Sequence, residues 1–290
     1  MLPQINRIVA HTDFDGLISA LLMQEVLGVE EVAFAESWEI TDGSFIAHHS
    51  DAVVDLPCPG EGCALWIDHH ASNNGPTGPY FHLDSSRKSC ASFIHSLWPD
   101  RLQKYLPLVQ AADIIDSAEY AERDIREPMP AMQVALSLAH GSHHYRAFLI
   151  EQLRNRGIED VAAMRIVQEK YAGVMREHEE FLVSAEERIA VRGSVLVLDG
   201  MGLQVPGGLL HFMLYLRYPA VAVSLIISDG GQGRARVSLG ENIFMRVNNV
   251  NLGMLAREYG GGGHKAAAGC SVPLAQKDEM VDRLVTALNQ

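Results

Sequence analysis

A carboxylate and two imidazoles follow one another at Asp68-His69-His70, after the apolar run Ala64 to Ile67 and before the polar turn Ala71-Ser72-Asn73-Asn74-Gly75. A buried strand that delivers such a triplet to its C-terminal edge puts metal-ligand chemistry where open α/β sheets bind their ligands. Alone, the triplet reads slightly better as a capped strand end with two solvated histidines. Three other segments change that balance, because each sets acid or imidazole groups directly after an apolar run. They are His11-x-Asp13-x-Asp15-Gly16, Val53-Val54-Asp55 and Ala111-Ala112-Asp113. Any one such Asp is more often a helix cap or turn residue. Four in order are poorly explained that way. If neighbouring parallel strands carry the first three sets, their C-terminal ends converge on one centre. Carboxylates gathered there repel strongly unless cations balance them. Two divalent ions about 3.5–4 Å apart are the usual solution, and such sites polarise a phosphoryl oxygen and activate water. Mixed Asp/His ligation suits Mn2+ best, ahead of Mg2+, Co2+ or Zn2+.

A second constellation lies near the other end, at Gly260-Gly261-Gly262-Gly263-His264-Lys265. Consecutive glycines let the backbone approach an anion, and their N–H groups can form a nest around phosphate. His264 and Lys265 add side-chain donors. Arg234 and Arg236 alternate along an expected strand, 233–239, where they could bind a second phosphate or stack on a base. Solvated strand faces account for these two arginines equally well.

Taken together, the segments resemble the DHH phosphoesterase superfamily. His11-Thr12-Asp13-Phe14-Asp15-Gly16, Asp55, Asp68-His69-His70 and Asp113 look like its motifs one to four. The stretch from Gly260 to Gly269 is similar to the glycine–histidine signature of its DHH-associated C-terminal domain, so the match runs from residue 8 to about 270. The resemblance implies that His11 and Asp13 bind a first metal and Asp15 a second, with Asp55 bridging both. His69 and Asp113 would complete the second position. His70 would touch the substrate phosphate or support the ligands, and Asp68 would orient a histidine. Catalytic candidates are therefore Asp55, Asp68 and His70. Substrate-binding candidates are Gly261, Gly262, Gly263, His264, Lys265, Arg234 and Arg236. Asp116 rivals Asp113 for the fourth motif; Asp113 is preferred because Ala-Asp-Ile-Ile fits the family better. The chain departs from the pattern twice. Only Thr12 separates His11 from Asp13, where many relatives have three residues. Gly240 stands where relatives often carry an arginine shortly after Val-Ser-Leu.

The elements that must position these groups follow from periodicity. Strands are expected at 5–10, 29–35, 52–56, 64–67 and 80–83, with an apolar helix from Leu17 to Leu27 closing at Gly28. Helices are expected at 89–97 and 101–115. Strands broken by helices or loops, each with apolar continuity, imply a mainly parallel sheet. The segment 148–190 lacks proline and is rich in Glu, Arg, Ala, Leu and Gln, so it reads as one or two long helices. From 193 onward the texture turns β, with strands at 195–198, 220–228 and 233–239 and helices at 207–217, 252–259 and 276–288. The fold class expected is α/β: a mainly parallel N-terminal domain (1–145), a helical connector (146–190) and a smaller α/β C-terminal domain (191–290), with the active site in the cleft between domains.

Charge narrows the substrate. The net charge is −13, yet from Val191 onward nine Lys/Arg face seven Asp/Glu, leaving −15 for the first 190 residues. An acidic N-terminal part suits divalent cations, and the total disfavours a long polyanion. Short oligonucleotides or small phosphorylated nucleotides, gripped at one or two phosphates, fit better. The expected activity is a metal-dependent phosphoesterase of nanoRNase or bisphosphate-nucleotide phosphatase type. The alternatives are an exopolyphosphatase or pyrophosphatase-like hydrolase, and a non-catalytic nucleotide-binding regulator. No apolar run approaches the ~20 residues of a membrane helix, and the N-terminus lacks signal-peptide features. Four cysteines suggest reduced thiols in a cytoplasmic protein. A homodimer is left open. Cys58–Cys63, His48-His49, His140–His144, Ser85–Ser89 and Asn242–Asn251 read as loop, surface or helix-start segments.

Overall fold

The computed structural model describes residues 2–290, apart from the side chain of Glu61. The chain divides into two compact units: residues through Glu119 with Pro128–Ala172, and Tyr120–Glu127 with Gly173–Gln290. The segment 146–190, read from sequence as a connector, is divided between them at residue 172.

The first unit is α/β. Its strands are β1 (Arg7–His11), β2 (Val32–Ala35), β3 (Asp51–Val54), β4 (Leu65–Asp68) and β5 (Phe81–Leu83). They form one sheet in the order β2-β1-β3-β4-β5, with every neighbouring pair parallel. Parallel strands buried on both faces are uniformly apolar, and β3 and β4 are buried at every position. Between the strands lie α1 (Phe14–Leu27) and α2 (Ser37–Asp42). Helices α3 (Cys90–Leu97), α4 (Pro99–Leu102) and α5 (Leu106–Asp116) follow β5. A short helix, α6 (Glu122–Arg126), belongs to the second unit. The first unit resumes with α7 (Pro130–Ser137), α8 (His143–Asn155) and α9 (Ile158–Ala162), and α10 (Arg165–Ser184) carries the chain onward.

Helix α1 is apolar or small around most of its circumference and is buried from Phe14 through Gln24, the mark of a core helix rather than a surface one. Asp13 caps it, accepting from the Gly16 N–H at 2.9 Å. It ends at Gly28, left-handed at φ 70°, whose N–H returns to the Gln24 carbonyl. Gly16 has a second reason to be glycine. A Cβ there would collide with the His11 carbonyl oxygen, so only glycine lets the helix start this close to β1.

The second unit holds β6 (Ile189–Arg192), β7 (Val195–Asp199), α11 (Leu210–Arg217), β8 (Val223–Asp229) and β9 (Arg234–Glu241). It continues with α12 (Leu252–Arg257), β10 (Gly262–Gly263), β11 (Ala267–Pro273) and α13 (Lys277–Leu288). Its sheet runs β10-β11-β9-β8-β7-β6; β7 and β8 are parallel and the other pairs antiparallel. Alternation along the strands serves two cores. Val195, Val197, Leu225, Ile227, Val237 and Leu239 face α12 and α13, while Leu196, Leu198 and Ile226 face α11 and the end of α10. The Gly/Ala-rich strand β11 has weak intrinsic β preference. It forms because all seven of its residues pair with β9.

Candidate active site

Parallel pairing does what the spacing predicts: β1, β3 and β4 are adjacent, and their C-terminal ends carry His11, Asp55 and Asp68 with the two histidines after it. Asp55 is the centre. It sits one residue past β3 at φ 58°, a left-handed conformation rare for a non-glycine residue. Such strain clusters at functional sites. Its N–H bonds the Ile67 carbonyl at 3.0 Å, which holds the turn against β4.

Around Asp55 the side chains form overlapping groups, each with potential ligand atoms within 4.8 Å of one another: His11, Asp13 and Asp55; Asp55, His69 and His70; Asp15, His69 and Asp116. Nδ1 of His11 is 2.9 Å from Asp13 Oδ2 and 3.8 Å from Asp55 Oδ2. The short first motif therefore still brings His11 to the cluster. On the other side, His69 Nε2 is 3.6 Å from Asp55 Oδ1, 3.7 Å from Asp15 Oδ2 and 3.4 Å from Asp116 Oδ2.

The donor set fits divalent cations. Both carboxylate oxygens of Asp55 and Nε2 of His69 are buried without a hydrogen-bond partner, which is costly for a structural residue and natural for a metal ligand. Nδ1 of His69 lies 3.3 Å from the Arg87 carbonyl. Donation there fixes the tautomer and leaves the Nε2 lone pair facing the carboxylates. Asp15 offers its oxygens while also accepting from the N–H groups of Cys90 (2.6 Å) and Ala91 (2.9 Å) at the start of α3. Its carboxylate thus anchors that helix to the cluster.

Electrostatics describe a cluster short of positive charge. Burial first, then the neighbouring carboxylates, push Asp55 and Asp15 well above the usual range, and Asp116 up to about 7. Burial opposes the charged form of His11, but Asp13, Glu36 and Asp15 outweigh it and raise the imidazole to about 9. Burial lowers His69, keeping it neutral as a ligand must be. His70 is raised, because its bond to Asp68 outweighs its burial.

Asp68 stands apart from these ligand groups. Fully buried, it accepts from the backbone N–H of His69 (2.8 Å) and from Asn73 Nδ2 (2.6 Å), and its Oδ1 lies 2.8 Å from His70 Nδ1. It fixes the turn and the His70 ring. Asp113 is also outside: its Oδ1 takes the Ser89 hydroxyl at 2.6 Å, the residue that caps α3. Asp116, one turn later on α5, is the carboxylate that reaches the cluster.

Two residues missed in the sequence support the first motif. Glu36 accepts from Thr12 Oγ1 at 2.5 Å and lies 3.6 Å from His11 Nε2. It follows the apolar run Val32-Ala33-Phe34-Ala35, the same signal that singled out Asp55. Arg146, on α8 and buried, donates Nε to the Thr12 carbonyl at 2.6 Å and Nη2 to the Leu138 carbonyl at 3.2 Å, with a third bond to Gly141. Nothing in its sequence context marks it.

In the second unit, Gly262 and Gly263 are strand β10, paired with Gly269 and Ala268 of β11, so two glycines of the run serve a hairpin. His264 and Lys265 are exposed at its tip, and their carbonyls accept from Gly253 and Leu252 at the start of α12. Gly261 packs where a Cβ would meet the Gly269 carbonyl. Arg234 and Arg236 are exposed on one face of β9, and Arg234 donates Nε to the Ser271 hydroxyl at 3.0 Å.

Residues 213–290 match the DHHA1 domain family. No curated protein matches the sequence. Among solved structures, the chain is similar to the pGpG-specific phosphodiesterase PggH from Vibrio cholerae, at TM-score 0.77 and 22% identity, covering 98% of this chain and 99% of that one. It is similar to a DHH-domain structure described as a member of a family of ribosomal proteins, at TM-score 0.65 and 13% identity over 99% of this chain and 87% of that one. The exonuclease RecJ bound to manganese matches at TM-score 0.61 and 11% identity over 98% of this chain and 90% of that one. At such identities these likenesses establish the fold. Residues 213–290 thus match a DHHA1 domain, within a fold that the whole chain shares with these structures.

Proposed function

We propose that the chain is a divalent-metal-dependent phosphoesterase that hydrolyses short oligonucleotides or small phosphorylated nucleotides. The observation that carries this is Asp55, whose two unpartnered oxygens belong to two ligand groups at once. His11, Asp13 and Asp55 would hold one cation, and Asp15, His69 and Asp116, with Asp55, the other. Bound there, divalent cations would supply Lewis-acid polarisation of the phosphoryl group and a water acidic enough to attack at neutral pH. The chain's own groups do the rest. Asp68 holds His70 and favours its protonated form, which suits a group facing charge that develops on phosphate. Arg146 and Glu36 hold the turn that carries His11 and Asp13.

The second unit would supply recognition through the hairpin tip, His264 and Lys265, and the exposed Arg234 and Arg236. The likeness to the pGpG-specific phosphodiesterase PggH and to manganese-bound RecJ supports a nucleotide substrate and Mn2+. A net charge of −13 supports a short substrate over a long polyanion. Among the described residues no helix is long and apolar enough to cross a membrane, and a cytoplasmic setting fits nucleotide substrates. The test is to offer di- to pentanucleotides, a 3′,5′-bisphosphate nucleotide and polyphosphate side by side with Mn2+. Hydrolysis of the short nucleotides is expected. Clear preference for polyphosphate, or fewer than two metals per chain with no hydrolysis, would overturn it.

A further inference from the structure

The second unit contains a buried chain of hydrogen bonds in which every proton can be assigned. Tyr215 Oη donates to the Gly240 carbonyl at 2.6 Å, and a carbonyl can only accept. The single phenolic proton is thereby used, so in the 2.6 Å contact between Tyr215 Oη and Ser224 Oγ the serine is the donor. Ser224 has then spent its own proton. The 2.6 Å contact from Ser224 Oγ to His211 Nδ1 must therefore be Nδ1–H donating to the serine. Burial holds the His211 imidazole down to about 4, so the ring is neutral and its Nε2 carries a lone pair. In the last link, 2.9 Å long, the Ser238 hydroxyl donates to Nε2. The outcome is a serine whose proton is turned inward and whose oxygen can only accept from anything above it.

That oxygen borders open space. Ser238 of β9 pairs with Gly269 of β11, which pairs with Gly262 of β10, so the three form one row across the sheet with side chains on one face. Two members of the row have no side chain. A Cβ at Gly262 would meet nothing within 4 Å, and one at Gly269 only the Val237 carbonyl at 3.6 Å. Arg236 and Ser271 form the next row on one side. On the other side is Gly240, where a Cβ would come 2.7 Å from His211 Nδ1 and 3.0 Å from the Tyr215 hydroxyl. The imidazole thus occupies the room that a side chain at 240 would need, and no cation can project from that position.

We propose that Ser238 is a specificity residue: a neutral acceptor, its proton held by His211, that reads a donor group of a nucleotide lying over Gly269 and Gly262. The donor is a ribose hydroxyl or a base amino group, and a phosphate oxygen, having no proton to give, is disfavoured there. This rests on the nucleotide substrate proposed above and deepens it.

The experiment measures dinucleotide binding by calorimetry without divalent cation, so that no cleavage is needed. Four ligands are compared: diguanylate, its inosine counterpart lacking the exocyclic amine, its 2′-deoxy counterpart, and the form with both changes. In the unaltered protein one of the two single deletions should weaken binding about three- to tenfold, the range for one neutral hydrogen bond. It identifies the donor as amine or hydroxyl. Ser238→Ala should erase that difference and Ser238→Thr should keep it. His211→Phe should reduce it, although the hydroxyl remains, because Ser238 can still accept but is then also free to donate; thermal melting confirms that each variant is folded. Equal binding of all four ligands, no binding at all, or discrimination that survives in Ser238→Ala would overturn the proposal. Hydrolysis of the same ligands with Mn2+ is scored separately: discrimination without cleavage sinks the phosphoesterase reading alone, and cleavage without discrimination sinks this one alone.

Discussion

Asp116 Oδ2 stands 3.4 Å from His69 Nε2, whereas Asp113, one turn earlier on the same helix, is bonded to Ser89. The two carboxylates should therefore fail differently. Asp116→Ala removes a group from the cluster and is expected to lower kcat on the order of 10²–10³-fold and to weaken binding of the second metal. Asp113→Ala removes an acceptor from the residue that caps α3, costing about 1 kcal/mol of stability with a smaller loss of activity. Steady-state kinetics and metal titration on the two variants decide this. The reverse ranking would place Asp113 in the site.

Arg146 carries a buried charge satisfied by three carbonyls, and its guanidinium lies 5.8 Å from the centre of the Phe34 ring. Arg146→Ala strands those acceptors and is expected to cost about 2–3 kcal/mol in denaturant unfolding. It should also weaken Mn2+ binding at His11 and Asp13, because the Thr12 carbonyl loses its anchor. Arg146→Lys restores a point charge without the planar fork, so only part of the stability should return. A stability loss with unchanged metal affinity would make Arg146 a structural staple alone.

The parts of the site legible in the sequence are those set by strand ends. An acid directly after an apolar run marks the C-terminal edge of a buried parallel strand, which is why His11, Asp55, Asp68 and their neighbours could be grouped before any coordinates. Side chains whose role depends on helix rotation or on distant packing left no such mark. Asp113 and Asp116 differ by one turn of α5, and only packing decides which faces His69. Arg146 meets Thr12 across 134 residues of sequence. His178 is buried with one ring nitrogen 2.8 Å from the Val174 carbonyl and the other 2.7 Å from the Gly207 carbonyl, a pairing that joins positions 29 residues apart. The glycine run suggested an anion nest, but pairing with β11 commits two of its members to a hairpin. That pairing could not be read from the Gly/Ala composition of either partner.

Metal-free protein should lose stability as pH rises. Asp116 is held at about 7 and Asp15 and Asp55 well above the usual carboxylate range, so the folded chain keeps protons that the unfolded chain releases at lower pH. His11, raised to about 9, also binds its proton more tightly when folded. Extra protons on the folded state make stability fall with pH, here from the ordinary imidazole range up to about 9. Asp13, His69 and His211 are lowered and act in the opposite sense, but only below that range. Melting of chelator-treated protein should drop by at least about 4 °C between mildly acidic and alkaline buffer, and saturating Mn2+ should flatten the profile. A metal-free profile that is flat or rises over this range would contradict the buried carboxylate cluster.

Asp55→Asn should separate stability from function most cleanly. Asp55 is 1% exposed, surrounded by Asp13, Asp15, Asp68 and Asp116, and neither of its oxygens is hydrogen-bonded. Without metal its charge is a liability, and removing a buried unpaired charge from among like charges is commonly stabilising by about 1–2 kcal/mol. Asparagine is the right replacement because it tolerates the left-handed backbone at φ 58°, which alanine does not. The metal-free variant should therefore melt above the unaltered protein at neutral pH. Yet the shared ligand is gone: Mn2+ should no longer raise the melting temperature as it does for the parent chain, and hydrolysis should fall on the order of 10²–10³-fold. If Asp55→Asn instead destabilised the metal-free protein while leaving the Mn2+ effect intact, Asp55 would be a structural residue and the proposed metal centre would lose its bridge.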